Sequence, residues 1–337
     1  NDLKKGQRNI ESKLNEMARR KSNHENNRDY LEAILENHAI QEEKVLWDIE
    51  DSAMKSGGQG TVIKVHYERR VCAAKIEKMP IKNKTQKRKE FINELAILMK
   101  VAHSSYVIQT YGAIDRGTSL VLIMEYAANG SLREYLNQSI HKPLSNDLVC
   151  SLISDIAAGM DYVYAHGVEH RDLKAANVLL DENLRAKICD FGISKSDDLN
   201  TRTKQHTNAN KSGGTTSWLA PERLSKTSDV KFNEKCDVWS FGITLYEIMT
   251  RKNPVKTIGE YEISRCDFKP LFDALKIQRL KLYEKYDDEC IDIMKNCWHH
   301  DGNERPTFHG IVQQTNKLKF DQNNVALHLK REKEDKW

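Results

Sequence analysis

The pattern of apolar and polar positions divides the chain into zones with different periods. In residues 1 to 45, Ile10, Leu14 and Met17 recur at helical spacing, and Leu31, Ile34, Leu35 and His38 continue it among dense charge. Two interrupted stripes fall short of the heptads a coiled coil requires, so residues 1–46 read as a helical or partly disordered extension. The alternative is a segment for partner binding or self-association. From Trp47 the period shortens to two: TVIKVHY and VCAAKIEK flank a glycine cluster, and IQTYGAI and SLVLIMEY follow as strands. Between them, Phe91, Leu95, Leu98 and Val101 form one apolar face of a helix over about 84–102. The spacing predicts a small, mostly antiparallel sheet with one inserted helix.

After Asn129-Gly130 the pattern turns helical. Ser131 and Glu134 have capping-box spacing. Ser145 stands as N-cap of a long helix through Leu148, Leu152, Ile156, Met160 and Val163, with Gly167 at its end. The short runs NVLL and AKICD bracket the turn DENL, and DVWSFGITLYEIMT and CIDIMKNCW supply further helices. The organisation expected is an α+β arrangement: a β-rich lobe over about 47–124, a hinge at 125–129, a helical lobe over about 130–320, and a charged tail at 321–337.

Composition narrows the function classes. A net charge of +4 on 337 residues gives no electrostatic case for nucleic acid. No apolar run approaches the roughly 18 residues of a membrane span, and the N-terminus lacks a signal-peptide pattern, so no transmembrane segment is expected. The seven cysteines are odd in number and form no C-x-x-C pair. Buried thiols in a reducing cytoplasm are expected, with a disulfide or metal framework as the alternative. Cys297, His299 and His300 match no common zinc spacing. The basic run Lys78, Lys82, Lys84, Lys87, Arg88 and Lys89 reads as a solvated helix face, or alternatively as a patch for anionic lipid or an acidic partner.

The stretch KSGGQGTV places Gly57, Gly58 and Gly60 ahead of Val62, with Lys55 where the pattern G-x-G-x-x-G-x-V has its first glycine. Glycines there let backbone N–H groups approach phosphates. Fifteen residues beyond Gly60, Lys75 ends the apolar run VCAAK. A buried ammonium needs a partner, and Glu94 in the following helix is the candidate; the alternative is a lysine snorkelling at a strand edge. In EHRDLKAANVLL, Asp172 and Asn177 are five residues apart, the spacing of a proton-accepting aspartate and a metal-binding asparagine in phosphoryl transfer. DFG follows at 190–192, with Asp190 as a second metal ligand.

In this ordered combination the sequence resembles the protein kinases over roughly residues 47 to 320. The likeness extends to LAPE at 219–222 and DVWSFG at 237–242. It implies a two-lobed fold, Mg²⁺-ATP as phosphoryl donor, Asp172 as the base, and Lys75 held by Glu94 on the α- and β-phosphates. Asn177 and Asp190 would bind Mg²⁺, and Lys174 would offset charge on the γ-phosphoryl. Met124 takes the gatekeeper place, and the backbone of Glu125 and Ala127 would contact adenine. Asp237 would anchor the catalytic loop, and Glu222 would pair with Arg305.

Lys174 and Thr215 resemble serine/threonine kinases, whereas FGITLYEIMT, NGSLREYL and CWHHDGNERPTF resemble tyrosine kinases. That mixture is the pattern of the tyrosine-kinase-like group. It implies protein substrates with Ser/Thr acceptors, with dual specificity left open. Between DFG and APE stand Ser194, Ser196, Thr201, Thr203, Thr207 and Ser212 as candidate activating phosphosites, with Arg171 as a partner for the added phosphate. The rival implication is a kinase-fold scaffold that works by binding.

Overall fold

In the nine-residue strand β4 (Arg70–Lys78), period two sorts the side chains by face. Cys72, Ala74 and Ile76 join a core made with Val65, Ile114, Val121 and Ile123, and Lys75 is left on the opposite face. The computed structural model describes residues 31–47, 55–57, 60–138, 144–196, 215–224, 232–252, 286–318, 320–321 and 323–325. The described chain falls into two compact units, one drawn from Asn1–Ala96 and Tyr111–Ile123, the other from Ile97–Thr110 and Met124–Trp337.

The first unit is built on a six-stranded sheet. Its other strands are β1 (Val45–Trp47), β2 (Lys55–Gly57), β3 (Gly60–Tyr67), β5 (Thr110–Asp115) and β6 (Ser119–Glu125). The order is β1-β3-β4-β6-β5, with β2 also paired to β3. Strands β3 and β4 are antiparallel from Thr61↔Ile76 to Tyr67↔Arg70. Glu68 and Arg69 turn the hairpin with φ of 48° and 63°, the two positive dihedrals that match a tight turn to twisted strands. Each fully buried Val or Ile in this core contributes about 1.5–3 kcal/mol.

Residues 31–46, read from sequence as an extension, pack on this sheet. A helical segment at 31–37 buries Leu31 and Leu35. The chain then runs parallel to β5, with the Ile40 amide donating to the Ala113 carbonyl at 2.8 Å and the Ala113 amide to the His38 carbonyl at 2.9 Å. Gly112 makes this approach possible: it has φ +154°, and a Cβ there would lie 2.4 Å from the His38 oxygen. We predict that Gly112→Ala costs about 2–3 kcal/mol, from strain and the lost ladder. Chemical denaturation with amide exchange at Ile40 checks it, and unchanged protection of that amide would count against the ladder.

In the second unit, Ser145 caps the helix Asn146–Ala165 by accepting from the Leu148 amide, and Gly167 follows with φ +64°. This helix is long and apolar enough to cross a membrane by length and composition, but its apolar residues form the core of the unit. At Ser131 the capping box forms, its amide donating to Glu134 at 2.9 Å and its Oγ accepting from the Glu134 amide. Strands β8 (Val178–Leu180) and β9 (Ala186–Ile188) pair antiparallel across the DENL turn. A small pairing not expected from sequence joins β7 (Val168–Glu169) to β10 (Lys195–Ser196). The apolar helix Glu234–Thr250 lies beneath, capped by Asn233.

Candidate active site

In the first unit, the hairpin register sets Gly57 opposite Gly60 and Lys55 opposite Val62, and β3–β4 pairing sets Val62 opposite Lys75. Gly58 lies outside the described residues. The helix Lys84–Val101 brings Glu94 to 2.7 Å from Lys75 Nζ, and Glu77 stands at 3.6 Å. Glu94 is 5% exposed and Lys75 13%, so this is a partner for a largely buried ammonium rather than a snorkelling lysine.

In the second unit, the loop between β7 and β8 gathers Asp172, Lys174 and Asn177. Asp172 Oδ2 accepts from Lys174 Nζ at 2.7 Å and from Asn177 Nδ2 at 2.9 Å. Asn177 Nδ2 also donates to the Asp172 carbonyl at 2.8 Å, which turns its Oδ1 away as the oxygen it can offer a metal. Asp172 Oδ1 is buried with no hydrogen-bond partner among the described residues. A buried acceptor with one occupied and one open oxygen fits a site that receives a hydroxyl proton. Asp190 sits at φ +66°, beside Phe191, whose ring is buried edge-on against His170 at 4.9 Å. Strained dihedrals of this kind cluster at ligand sites, and the donor set Asn177 Oδ1 with the Asp190 carboxylate suits the hard cation Mg²⁺.

His170 carries the geometry of this loop. The Asp172 amide donates to its Nδ1 at 3.3 Å, so Nε2 bears the proton and donates to the Cys189 carbonyl at 3.0 Å. The loop backbone is fixed from below by Asp237, which accepts from the amides of His170 and Arg171, each at 2.9 Å, and from Tyr164 Oη at 2.6 Å. Burial pushes the Asp237 carboxyl up to about 6, against the pull of His170, Tyr164 and the two amides.

A raised carboxyl adds stability that is full below its ordinary value near 3.8 and is lost as pH rises through about 6. Acidification therefore does not unfold the chain through this group; it replaces an acceptor of three donors by a neutral acid. We predict an acid limb in kcat near pH 6 with no parallel fall in Tm. Activity and melting profiles from about pH 5 to 8 check it, with Asp237→Asn expected to lose the limb.

Glu247 was not singled out in the sequence. It is fully buried and joins three parts: its carboxylate accepts from the Ala175 amide at 3.0 Å, Trp218 Nε1 at 2.8 Å and Arg133 Nη1 at 3.2 Å. The available signal was a lone acid in the apolar run FGITLYEIMT. Arg305 is equally enclosed, donating to Glu222 at 2.8 and 3.0 Å, and to the carbonyls of His299 and Lys235.

Other expected residues are placed less simply. Arg171 has φ +70° and donates twice to Glu169 Oε2, at 2.9 and 2.6 Å, so the partner it holds is local. Ser194 Oγ donates to the His170 carbonyl, and Ser196 is buried with its Oγ 3.0 Å from Lys100 Nζ. Thr201, Thr203, Thr207 and Ser212 lie outside the described residues, as does the side chain of Thr215. The Glu125 amide is taken by the Gln109 carbonyl at 2.8 Å and its carboxylate by Lys187 at 2.9 Å, which leaves its carbonyl for a purine. The Ala127 carbonyl is taken by the Gly130 amide at 3.1 Å, which assigns any purine contact there to its N–H.

Comparison with known proteins gives a match to the family model described as protein tyrosine and serine/threonine kinase over residues 50–315. The chain is 31% identical over 260 residues to the serine/threonine/tyrosine-protein kinase HT1 of Arabidopsis thaliana, covering 76% of this chain and 63% of that protein. It is 30% identical over 226 residues to the serine/threonine-protein kinase CTR1 of the same plant, covering 66% and 26%. To the mitogen-activated protein kinase kinase kinase dlk-1 of Caenorhabditis elegans it is 31% identical over 278 residues, covering 80% and 27%. The chain thus spans less than two thirds of the length of each of these relatives.

Proposed function

The chain belongs to the protein tyrosine and serine/threonine kinase family, in its tyrosine-kinase-like group, and from that premise we propose that it transfers the γ-phosphoryl group of ATP to serine and threonine hydroxyls of proteins. The observation that carries the reading is Asp172, with one oxygen bound by Lys174 and Asn177 and the other buried and open. Asp172 orients the acceptor hydroxyl and takes its proton as the new O–P bond forms and the bond to the β-phosphate oxygen breaks. Lys174, held at the same carboxylate, balances charge on the transferring group. Lys75, fixed by Glu94, binds the α- and β-phosphates, and the Gly57–Gly60 hairpin covers them. Asn177 and Asp190 would hold Mg²⁺, which when bound neutralises phosphate charge. The protein's share is positioning and electrostatics, with no covalent intermediate.

Serine/threonine choice is supported by Lys174 and by the name of CTR1, while the name of HT1 adds tyrosine and makes dual specificity the second reading. Peptides identical but for Ser, Thr or Tyr at the acceptor test it. Phosphorylation of the Ser and Thr peptides is expected, with the Tyr peptide no higher than an Asp172→Asn blank. Transfer to Tyr alone would overturn the assignment. Activating phosphorylation is proposed at Thr201, Thr203, Thr207 or Ser212, since Ser196 is buried beside Lys100 and the half-buried Ser194 donates its hydroxyl to the His170 carbonyl. A phosphate arriving there must compete with Glu169 for Arg171. A cytoplasmic location is proposed from the buried thiols at Cys72, Cys150, Cys236, Cys290 and Cys297. The scaffold alternative is not better supported, and the acceptor, lysine and asparagine of the catalytic loop favour the enzyme reading.

A further inference from the structure

The helix Lys84–Val101 begins loosely. Residues 80 to 87 are all exposed, and Gln86 and Lys87 make their side-chain contacts to Glu90 of the same helix. The first hydrogen bonds tying it to another element among the described residues are those of Arg88. Its guanidinium grips Glu32 with two parallel bonds, Nε to Oε1 at 2.9 Å and Nη2 to Oε2 at 2.7 Å, and reaches Asp115 with Nη1 at 2.6 Å. Burial works against ionisation of Asp115, but Arg88 and the Gly117 amide overcome it and hold the carboxyl below its ordinary range.

Both partners of Arg88 are themselves fixed to one ladder. Asp115 ends β5, and Glu32 lies in the segment that clamps β5 at Ala113 through His38 and Ile40. Downstream, Ile40 and Val45 enter the sheet core, and Arg116 pairs with Glu42 while stacking over Trp47 at 4.2 Å. Residues 31–47 thus form a strap that meets the sheet at both edges, pairing with β5 at Ala39 and with β3 at 45–47, and its helical turn at 31–37 presents Glu32 to the helix.

Arg88 and Glu94 are six residues apart, about 9 Å along the axis and roughly 120° around it at about 100° per residue. The two anchors therefore act on different faces, and together they set both the rotation and the tilt of the helix. Phe91 and Ile92 between them are buried, but apolar contact is non-directional, whereas a bidentate guanidinium–carboxylate pair has a defined geometry.

We infer that Glu32, Arg88 and Asp115 are positioning residues for the Lys75–Glu94 pair, and that the strap at 31–47 sets nucleotide affinity through it. The inference rests on the phosphotransfer reading for its biological meaning, and its test separates the two. Four full-length proteins are compared: wild type, Glu32→Gln, Glu94→Gln and the double variant. Amide hydrogen exchange over residues 84–95 is measured without nucleotide, and the MgATP dissociation constant and phosphotransfer rate are measured beside it. Glu32→Gln should speed exchange and raise the dissociation constant about three- to ten-fold, the size of a modest coupling between sites. In the Glu94→Gln background it should still speed exchange but leave the dissociation constant unchanged, since the pair through which it acts on nucleotide is already broken. Arg88→Lys, which keeps the charge and loses the fork, should fall between wild type and Glu32→Gln. A loss of affinity that is the same in both backgrounds, or that tracks a fall in Tm, shows a structural role only and overturns the inference; so does an unchanged dissociation constant in Glu32→Gln. Wild type that couples in exchange and binding but transfers no phosphate overturns the phosphotransfer reading and leaves the strap standing.

Discussion

Replacing Asp172 by asparagine is expected to lower kcat by about 10²–10⁴, the range for loss of a positioned general base, with the chain still folded and still binding nucleotide. Asparagine is nearly isosteric and can still accept from Asn177 Nδ2, so the loop keeps its shape. It cannot take a proton, and it no longer offers Lys174 a counter-charge at 2.7 Å. Lys75 and Glu94 are untouched by the change. Single-turnover phosphotransfer with nucleotide binding measured alongside checks the expectation. Affinity that fell as steeply as kcat would mean that Asp172 supports binding instead of chemistry.

The largest effect on stability is expected at Arg305. Its side chain is fully enclosed; it satisfies both oxygens of Glu222 and the carbonyls of His299, His300 and Lys235, and it lies 5.0 Å over the Trp239 ring. Arg305→Ala leaves that carboxylate and those carbonyls without their donor, which costs about 3–5 kcal/mol. For a unit of this size Tm should fall on the order of 10 °C. Burial raises the Glu222 carboxyl, but Arg305 outweighs it and keeps it below the ordinary range. The pair's contribution is thus present above that range and is lost as pH falls through the lowered value. The destabilisation caused by Arg305→Ala should therefore shrink toward acid pH, which thermal melts at neutral and acidic pH can read. A Tm within 2 °C of wild type at neutral pH would contradict this account.

Local rules of the chain were legible wherever partners are close in sequence or share one period. The helix expected over 84–102 forms as Lys84–Val101, the Ser145 cap and the Ser131–Glu134 box close as their spacing indicates, and the DENL turn joins a paired β8 and β9. The run IQTYGAI is shorter as a strand than its pattern suggests, because the Ile108 amide goes to the Ile188 carbonyl before β5 begins at Thr110.

Long-range partners were the harder part. Nothing in the stripe Leu31–His38 tells that its backbone will pair with Ala113, since that contact depends on a glycine more than seventy residues away and on its φ. Glu247 escaped notice because helical periodicity reports which face is apolar and says nothing of an acid that serves three donors at once. Arg171, expected to meet an added phosphate, already donates to Glu169 at the end of β7 two residues away, so that pairing would require an exchange of partners. The kinase motifs were readable for another reason: Asp172, Lys174 and Asn177 lie within six residues, and the ordered match to a known family supplied the distant pairs, Lys75 with Glu94 and Glu222 with Arg305.

The central claim, transfer of the γ-phosphoryl group to serine and threonine, is tested most directly by incubating the full chain with Mg²⁺ and γ-labelled ATP and identifying the labelled residue type after hydrolysis. The account predicts phosphoserine or phosphothreonine on wild type and none on Asp172→Asn. Nucleotide binding without any label, on the chain or on generic Ser/Thr acceptors and even after Thr201, Thr203, Thr207 and Ser212 are changed to glutamate, would contradict it.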